Sequence, residues 1–338
     1  MKLKDRVSLR TVMLVALFVG WAGPVRAEVG AITVAQQYGI GYLPLMVMQQ
    51  QGLIEKQAKA EGLGNLKVKW VKFAGSNVAN DALLAGDLQF AAVGVPPLIT
   101  MWAKTRGNMD VRGVAALNSM PIYLNTRDPN VKSVKDFTEK DKIALPSVKV
   151  SVQAVTLQMA VAKAFGEANV HKLDSLTVSM SHPEGMLAML SGKSEINSHF
   201  TSPPFEFQEL EKPGVHTVLD SYDVMGGKTT FVVVWATKRF REANPKTFTA
   251  FLNALKESIE FINSNKAAAA EMYIKGSNSK EPVAAILKML NDPEIEYTMT
   301  PKNVMKYADF MYKIGSIKTK PTSWKELFFP DIYNLPGS

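Results

Sequence analysis

Cysteine is absent from all 338 residues. The chain therefore has no disulfide, no thiolate metal site and no cysteine for a lipid anchor. Four histidines, His171, His182, His199 and His216, fall into no HExxH or His-x-His spacing, so zinc chemistry has no sequence support. A Gly-x-Ser-x-Gly elbow is missing, and Gly39-Ile40-Gly41 lacks the third glycine of a dinucleotide fingerprint. Basic tracts and mixed aromatic-basic runs are missing as well, which argues against nucleic acid as a partner. Low-complexity linkers and internal repeats are also not seen. Together these absences favour binding over catalysis and imply no cofactor.

What the chain does have begins with a leader. Lys2, Lys4, Arg6 and Arg10 precede an apolar run over 12–19, and Val25-Arg26-Ala27 offers small residues two apart. This is the layout of a secretory signal peptide over 1–27, cleaved near Ala27. The run ends at Pro24, short of the roughly 20 residues that span a bilayer, and no later segment is long enough. Residues 1–27 hold five basic residues and one acidic one, so cleavage lowers the net charge from +8 to +4. The remaining 28–338 exceed what one hydrophobic core commonly serves, and two domains are expected.

Apolar periodicity alternates from strand to helix along the mature chain, which predicts α/β architecture with mainly parallel sheets. Strands are expected over 31–35, 66–73, 88–93, 111–117 and 122–125, with helices over 43–51 stopped at Gly52, 78–84 stopped near Gly86, and 97–104. A second set has strands at 142–145, 176–178 and 195–200 and helices at 152–164 and 184–190. The strand 230–235 then leads into helices over 246–263, 267–273, 283–290 and 302–314.

The turn Phe73-Ala74-Gly75-Ser76-Asn77 and the stretch from Asp81 through Gly94 resemble the substrate-binding proteins of ABC importers for nitrate, sulfonates and taurine. That family includes binders of thiamine-pyrimidine precursors. Further echoes, all in one order, are Pro121-Ile122-Tyr123-Leu124, Ser133-Val134-Lys135-Asp136-Phe137, Ile143-Ala144-Leu145-Pro146-Ser147, and Glu195-Ile196-Asn197 leading to Pro203-Pro204-Phe205. The resemblance implies a two-lobed periplasmic-binding-protein fold of type II, a Venus flytrap with two hinge strands near 121–126 and 229–235. Lobe one would comprise 28–126 plus 229–338, and lobe two 127–228. It also implies a small-molecule solute held in the cleft, partner permease and ATPase subunits in the inner membrane, and a periplasmic monomer that is not an enzyme. Some relatives synthesise a thiamine pyrimidine, and this is the rival reading.

Open α/β sheets present ligands at the carboxyl ends of their strands, and the loops there supply the candidates. At Ser76 and Asn77 the free N–H groups of a helix start suit an anion, or they are simply the cap of their own helix. Ser151 and Gln153, at the start of the long second helix, pose the same alternatives, and Lys149 beside them either adds charge or is solvated. Tyr38 offers a ring or a hydroxyl or is a surface tyrosine, Pro96 brings backbone close or only fixes a helix start, and Asn118 and Ser119 are polar groups near a hinge. Relatives often carry Trp-Asp-Pro-Phe where this chain has His199-Phe200-Thr201-Ser202-Pro203-Pro204-Phe205. The lost carboxylate lessens repulsion toward an anion; Ser202 is a candidate contact, and His199 either favours an anion when protonated or is a satisfied structural histidine. The expected cargo is a small organic anion, a sulfonate or carboxylate. Produced with its leader in a Gram-negative host, the protein should appear in the periplasmic fraction with the mass of residues 28–338. Full-length mass in the membrane fraction would contradict the leader.

Overall fold

The computed structural model describes residues 27–338, so the expected leader lies outside the described residues except for Ala27. The described chain forms the strands β1 (Ala31–Gln36), β2 (Lys67–Lys72), β3 (Phe90–Gly94), β4 (Val111–Ala116), β5 (Asn118–Ser119) and β6 (Tyr123–Thr126). It continues with β7 (Ile143–Leu145), β8 (Thr177–Ser179), β9 (Ser198–Phe200), β10 (His216–Asp220), β11 (Val232–Thr237) and β12 (Glu296–Tyr297). Two five-stranded sheets run in the orders β2-β1-β3-β11-β4 and β10-β6-β9-β7-β8, and β5 pairs with β12 in a small third sheet. Each large sheet with its helices is called a lobe below.

Read from its other edge, the second sheet runs β8-β7-β9-β6-β10, which repeats the path of the first. In both, the first three strands of the lobe pair in parallel, and a strand arriving by a crossing from the other lobe inserts antiparallel between the third and the fourth. β11 does this in lobe one and β6 in lobe two. Four of the eight pairings in the large sheets are thus antiparallel, which corrects the mainly parallel expectation. The strands expected as hinges are these inserted strands. An internal repeat invisible in the sequence is present in the topology.

Local sequence explains the layers. Val232, Val233, Val234, Trp235 and Ala236 are fully buried, as a β-branched run wedged between two neighbours must be. β2 reads Lys-Val-Lys-Trp-Val-Lys and exposes its three lysines, a charged edge that discourages further pairing. The helices Leu43–Gln51 and Val283–Leu290 fall where the periodicity put them. Helix Leu53–Ala60 was not expected, because Gly52 reads as a stop. At φ 60 Gly52 instead joins two helices end to end, and the second buries Leu53, Ile54 and Ala58. Helix Phe205–Leu210 and β10 were missed as well. One apolar core runs through both lobes, with a small separate cluster of Ala144, Met189 and Ile196.

The lobes meet through three glycines at the carboxyl ends of β1, β2 and β3. A β-carbon on Gly75 would stand 2.4 Å from both the Pro146 carbonyl and the Ser147 Oγ, and one on Gly94 would stand 1.9 Å from Val152 Cγ2. One on Gly39, which also needs a positive φ of 106, would stand 2.8 Å from the Pro203 carbonyl. Uncrowded carbon contacts lie at about 3.5–4.0 Å, so any side chain at these positions holds the lobes apart. Hydrogen bonds cross the same seam: Ile40 N–H donates to the Pro203 carbonyl at 3.0 Å, and the Thr156 and Tyr307 hydroxyls pair at 3.0 Å. The arrangement is closed.

Gly75 has φ −150 and ψ 168, which alanine adopts freely, so Gly75→Ala perturbs the seam without straining its own lobe. Gly75→Ala should keep the wild-type circular dichroism and scatter X-rays as a more extended particle. Unchanged scattering would contradict the seam.

Candidate functional site

β3 and β4 are each antiparallel to β11, so β1 to β4 all end at one edge of the first sheet. Gln36 and Gln37, the Ser76 helix start, the Val95 helix start, Asn118 and Ser119 lie along that edge. Ser147, Ser151, the Val152 helix start, Ser181, His182, Thr201 and Ser202 follow the parallel strands β7, β8 and β9 of the opposite lobe. The Gly75 to Ser147 and Gly94 to Val152 contacts join the two edges. Four helices of eight residues or more therefore begin at the cleft, at Ser76, Val95, Val152 and His182, and their positive ends favour negative charge there.

Ser76 is buried at the cleft, but its backbone N–H does not await an anion. It donates to Ser147 Oγ at 3.0 Å, and the Ser147 hydroxyl in turn donates to Asn77 Oδ1 at 3.0 Å. One hydroxyl thus serves as acceptor and donor between the lobes. The side chain of Ser76 is different, because its Oγ is buried with no partner among the described residues. Four more buried atoms on cleft segments share that condition: Gln36 Oε1, Gln37 Nε2, Ser119 Oγ and Gln153 Nε2. All five residues are at most 5 % exposed. Leaving such a group unpaired costs about 1–3 kcal/mol.

Other expected contacts are spent on the fold. Asn118 Nδ2 donates to the Gly41 carbonyl at 2.6 Å, and Asn118 Oδ1 accepts from Val232 N–H at 3.3 Å; the side chain ties the entry of β11 to the first lobe. Ser151 Oγ accepts from Ala154 N–H at 3.2 Å, so it is the cap of its own helix. Ser147, four residues earlier, is the serine that reaches across. Pro96 sits buried in the first turn of helix Val95–Thr105, where its missing N–H is harmless. Lys149, at φ 65, is exposed.

His199 belongs to the interior of lobe two. Its Nδ1 lies 2.5 Å from Glu209 Oε1, and Glu209 Oε2 also accepts from Asn125 Nδ2 at 3.0 Å. Its other nitrogen faces Gly185, where a β-carbon would be 2.6 Å away. A neighbouring glutamate, Glu206, is fully buried and accepts from Tyr123 N–H at 2.9 Å. Burial raises its carboxyl well above the usual range.

The histidine at the cleft is His182, which sequence reasoning passed over. Thr201 Oγ1 lies 2.7 Å from its Nδ1 and Ser202 Oγ 3.4 Å from its Nε2. Its ring stacks on Phe205 with centroids 5.7 Å apart. Burial, helped by the nearby His199, pushes its pKa well below the ordinary value, so the ring is a neutral hydrogen-bonding group. The missed signal was Ser181-His182-Pro183-Glu184, a capping box with proline in the first turn, which starts the helix at His182. Tyr38 is half-buried, with the Lys72 ammonium 5.2 Å from its ring centroid. Among the described residues no group of three or more His, Asp or Glu is arranged to hold a metal ion, and no helix is long and apolar enough to cross a membrane.

Solved structures share this architecture. The alkanesulfonate-binding protein SsuA from Xanthomonas axonopodis pv. citri, bound to MOPS, superposes with a TM-score of 0.68 at 15% identity, covering 86% of this chain and 95% of that one. The periplasmic aliphatic sulphonate binding protein SsuA from Escherichia coli gives 0.63 at 18% identity over 89% and 92%. The periplasmic nitrate-binding protein NrtA from Synechocystis PCC 6803 gives 0.66 at 16% identity over 88% and 84%. At such identities the likeness is one of fold, and the chain has the periplasmic-binding-protein fold. No curated protein matches it in sequence. Residues 26–274 match the NMT1-like family, and the chain belongs to that family.

Proposed function

We propose that the protein is the solute-binding component of an ABC importer, capturing a small organic anion of the sulfonate or carboxylate class between its lobes. The carrying observation is the set of five unpartnered buried atoms at the cleft. Four of them, Ser76 Oγ, Ser119 Oγ, Gln37 Nε2 and Gln153 Nε2, donate hydrogen bonds, and only Gln36 Oε1 is purely an acceptor. A sulfonate or carboxylate offers acceptors only, so it matches this set, and the converging helix starts favour its charge. Gln36 Oε1 gives the rival pyrimidine some support, because an amino-pyrimidine would supply an N–H to it.

Both lobes contribute to the set, so the ligand gains all its contacts only when the lobes close. This is the condition under which a ligand shifts the population toward the closed form. Lobe two, from the crossing before β6 to the crossing after β10, would move as one body. The closed form would then deliver its cargo from the periplasm to a membrane permease, with ATP hydrolysis left to a partner subunit and the binding protein itself a monomer. SsuA, described as bound to MOPS, and NrtA, described as nitrate-binding, are consistent with an anionic cargo.

Calorimetric titration of ethanesulfonate, taurine, acetate, nitrate and a hydroxymethyl-aminopyrimidine tests the reading. One of the anions should bind, and Ser76→Ala and Gln153→Ala should each weaken it roughly tenfold, since a hydrogen bond to a charged group is worth about 1.5–3 kcal/mol. Binding of the pyrimidine alone would replace the anionic reading, and anion binding indifferent to both substitutions would remove the cleft assignment.

A further inference from the structure

A cavity of about 310 Å³ opens between the lobes beside Tyr38, at the small end of the range for ligand sites. Tyr38, Met46 and Tyr273 line it from lobe one, and Met186 and Phe205 from lobe two. Three aromatic rings and two thioethers make walls suited to a flat ring, which stacks on aromatics and contacts sulfur favourably. None of the five unpartnered cleft atoms belongs to a residue of this lining, so the cavity uses none of the groups assigned to the cargo.

Its charge is equally specific. Lys72 and Lys280 reach the cavity with a single acid, Glu281. Among the described residues neither lysine is in an ion pair. Lys72 stands over the Tyr38 ring, and burial against these walls lowers its pKa. An ammonium in no ion pair gains from an anion brought beside it.

We propose that this cavity is a second ligand site that takes a small aromatic carboxylate or sulfonate, its ring between the aromatic and methionine walls and its charge at Lys72 and Lys280. A molecule there touches both lobes and favours closure independently of the cargo. The cargo and the aromatic anion would then bind cooperatively, because each stabilises the same closed form.

Methyl-labelled methionine NMR reads the two walls separately, since Met46 is on one lobe and Met186 on the other; Met→Leu variants assign the signals. Benzoate, the probe, should shift both methyls along one saturable curve. The double variant Lys72→Gln, Lys280→Gln, altered only at exposed positions and checked for folding by circular dichroism, should bind benzoate at least tenfold more weakly. Benzoate that leaves both methyls in place, or that binds the double variant equally well, overturns the proposal. If benzoate raises the melting temperature of the double variant as much as that of the wild type, it occupies the central cleft, and the second site falls while the solute-binding reading stands.

Discussion

The structure depends on the absence of side chains along one line. Gly39 and Gly75 follow β1 and β2, Gly94 ends β3, and lobe two lies directly against their backbone. Close approach of two main chains lets the Ser147 hydroxyl reach the Ser76 N–H and the Pro203 carbonyl reach the Ile40 N–H. It also shuts Gln36, Gln37, Ser76, Ser119 and Gln153 away from solvent. Were any of the three glycines replaced by a larger residue, the cleft would be wider and those side chains wet. Their unpartnered atoms would then cost little and select nothing.

Closure of this kind needs lobes that can part, and the topology supplies the connection. Each lobe is the same five-stranded pattern, and each takes its antiparallel strand from a crossing chain. β6 and β11 are therefore both structural strands and the points of passage between lobes. Asn118, whose side-chain NH2 donates to the Gly41 carbonyl and whose Oδ1 accepts from Val232 N–H, fixes the second passage to the first lobe. Buried in lobe two, the His199 and Glu209 pair anchors helix Phe205–Leu210 to the sheet. That helix carries Phe205 to the seam. The polar groups inside the lobe hold its loops in place, while five at the cleft are left without partners among the described residues.

Much of this was legible in the chain. Strand and helix alternation located the elements, and the ordered run of family-like motifs implied the fold that the structure has. Local chemistry was harder to weigh. Ser151 and Ser147 are both serines ahead of one helix, and only three-dimensional spacing shows that the nearer one caps while the farther one crosses the seam. His199 sits in the motif that relatives use, yet its ring turns inward to Glu209, whereas His182 announces itself only through a capping box. Lys149 adjoins a helix start and is solvated; Lys72, in a strand of alternating lysines, is the one that lies over Tyr38. The repeat of one lobe in the other left no trace in sequence because topology is kept by pairing and burial, which many sequences satisfy.

The most direct test is a crystal structure of the protein grown with whichever small sulfonate or carboxylate binds it. The account predicts the anionic head between the lobes, its oxygens within roughly 3.2 Å of Ser76 Oγ and Gln153 Nε2, with Gly75 still against Ser147. An anion bound outside the cleft, or a cleft in which those two atoms remain unpartnered, would contradict it.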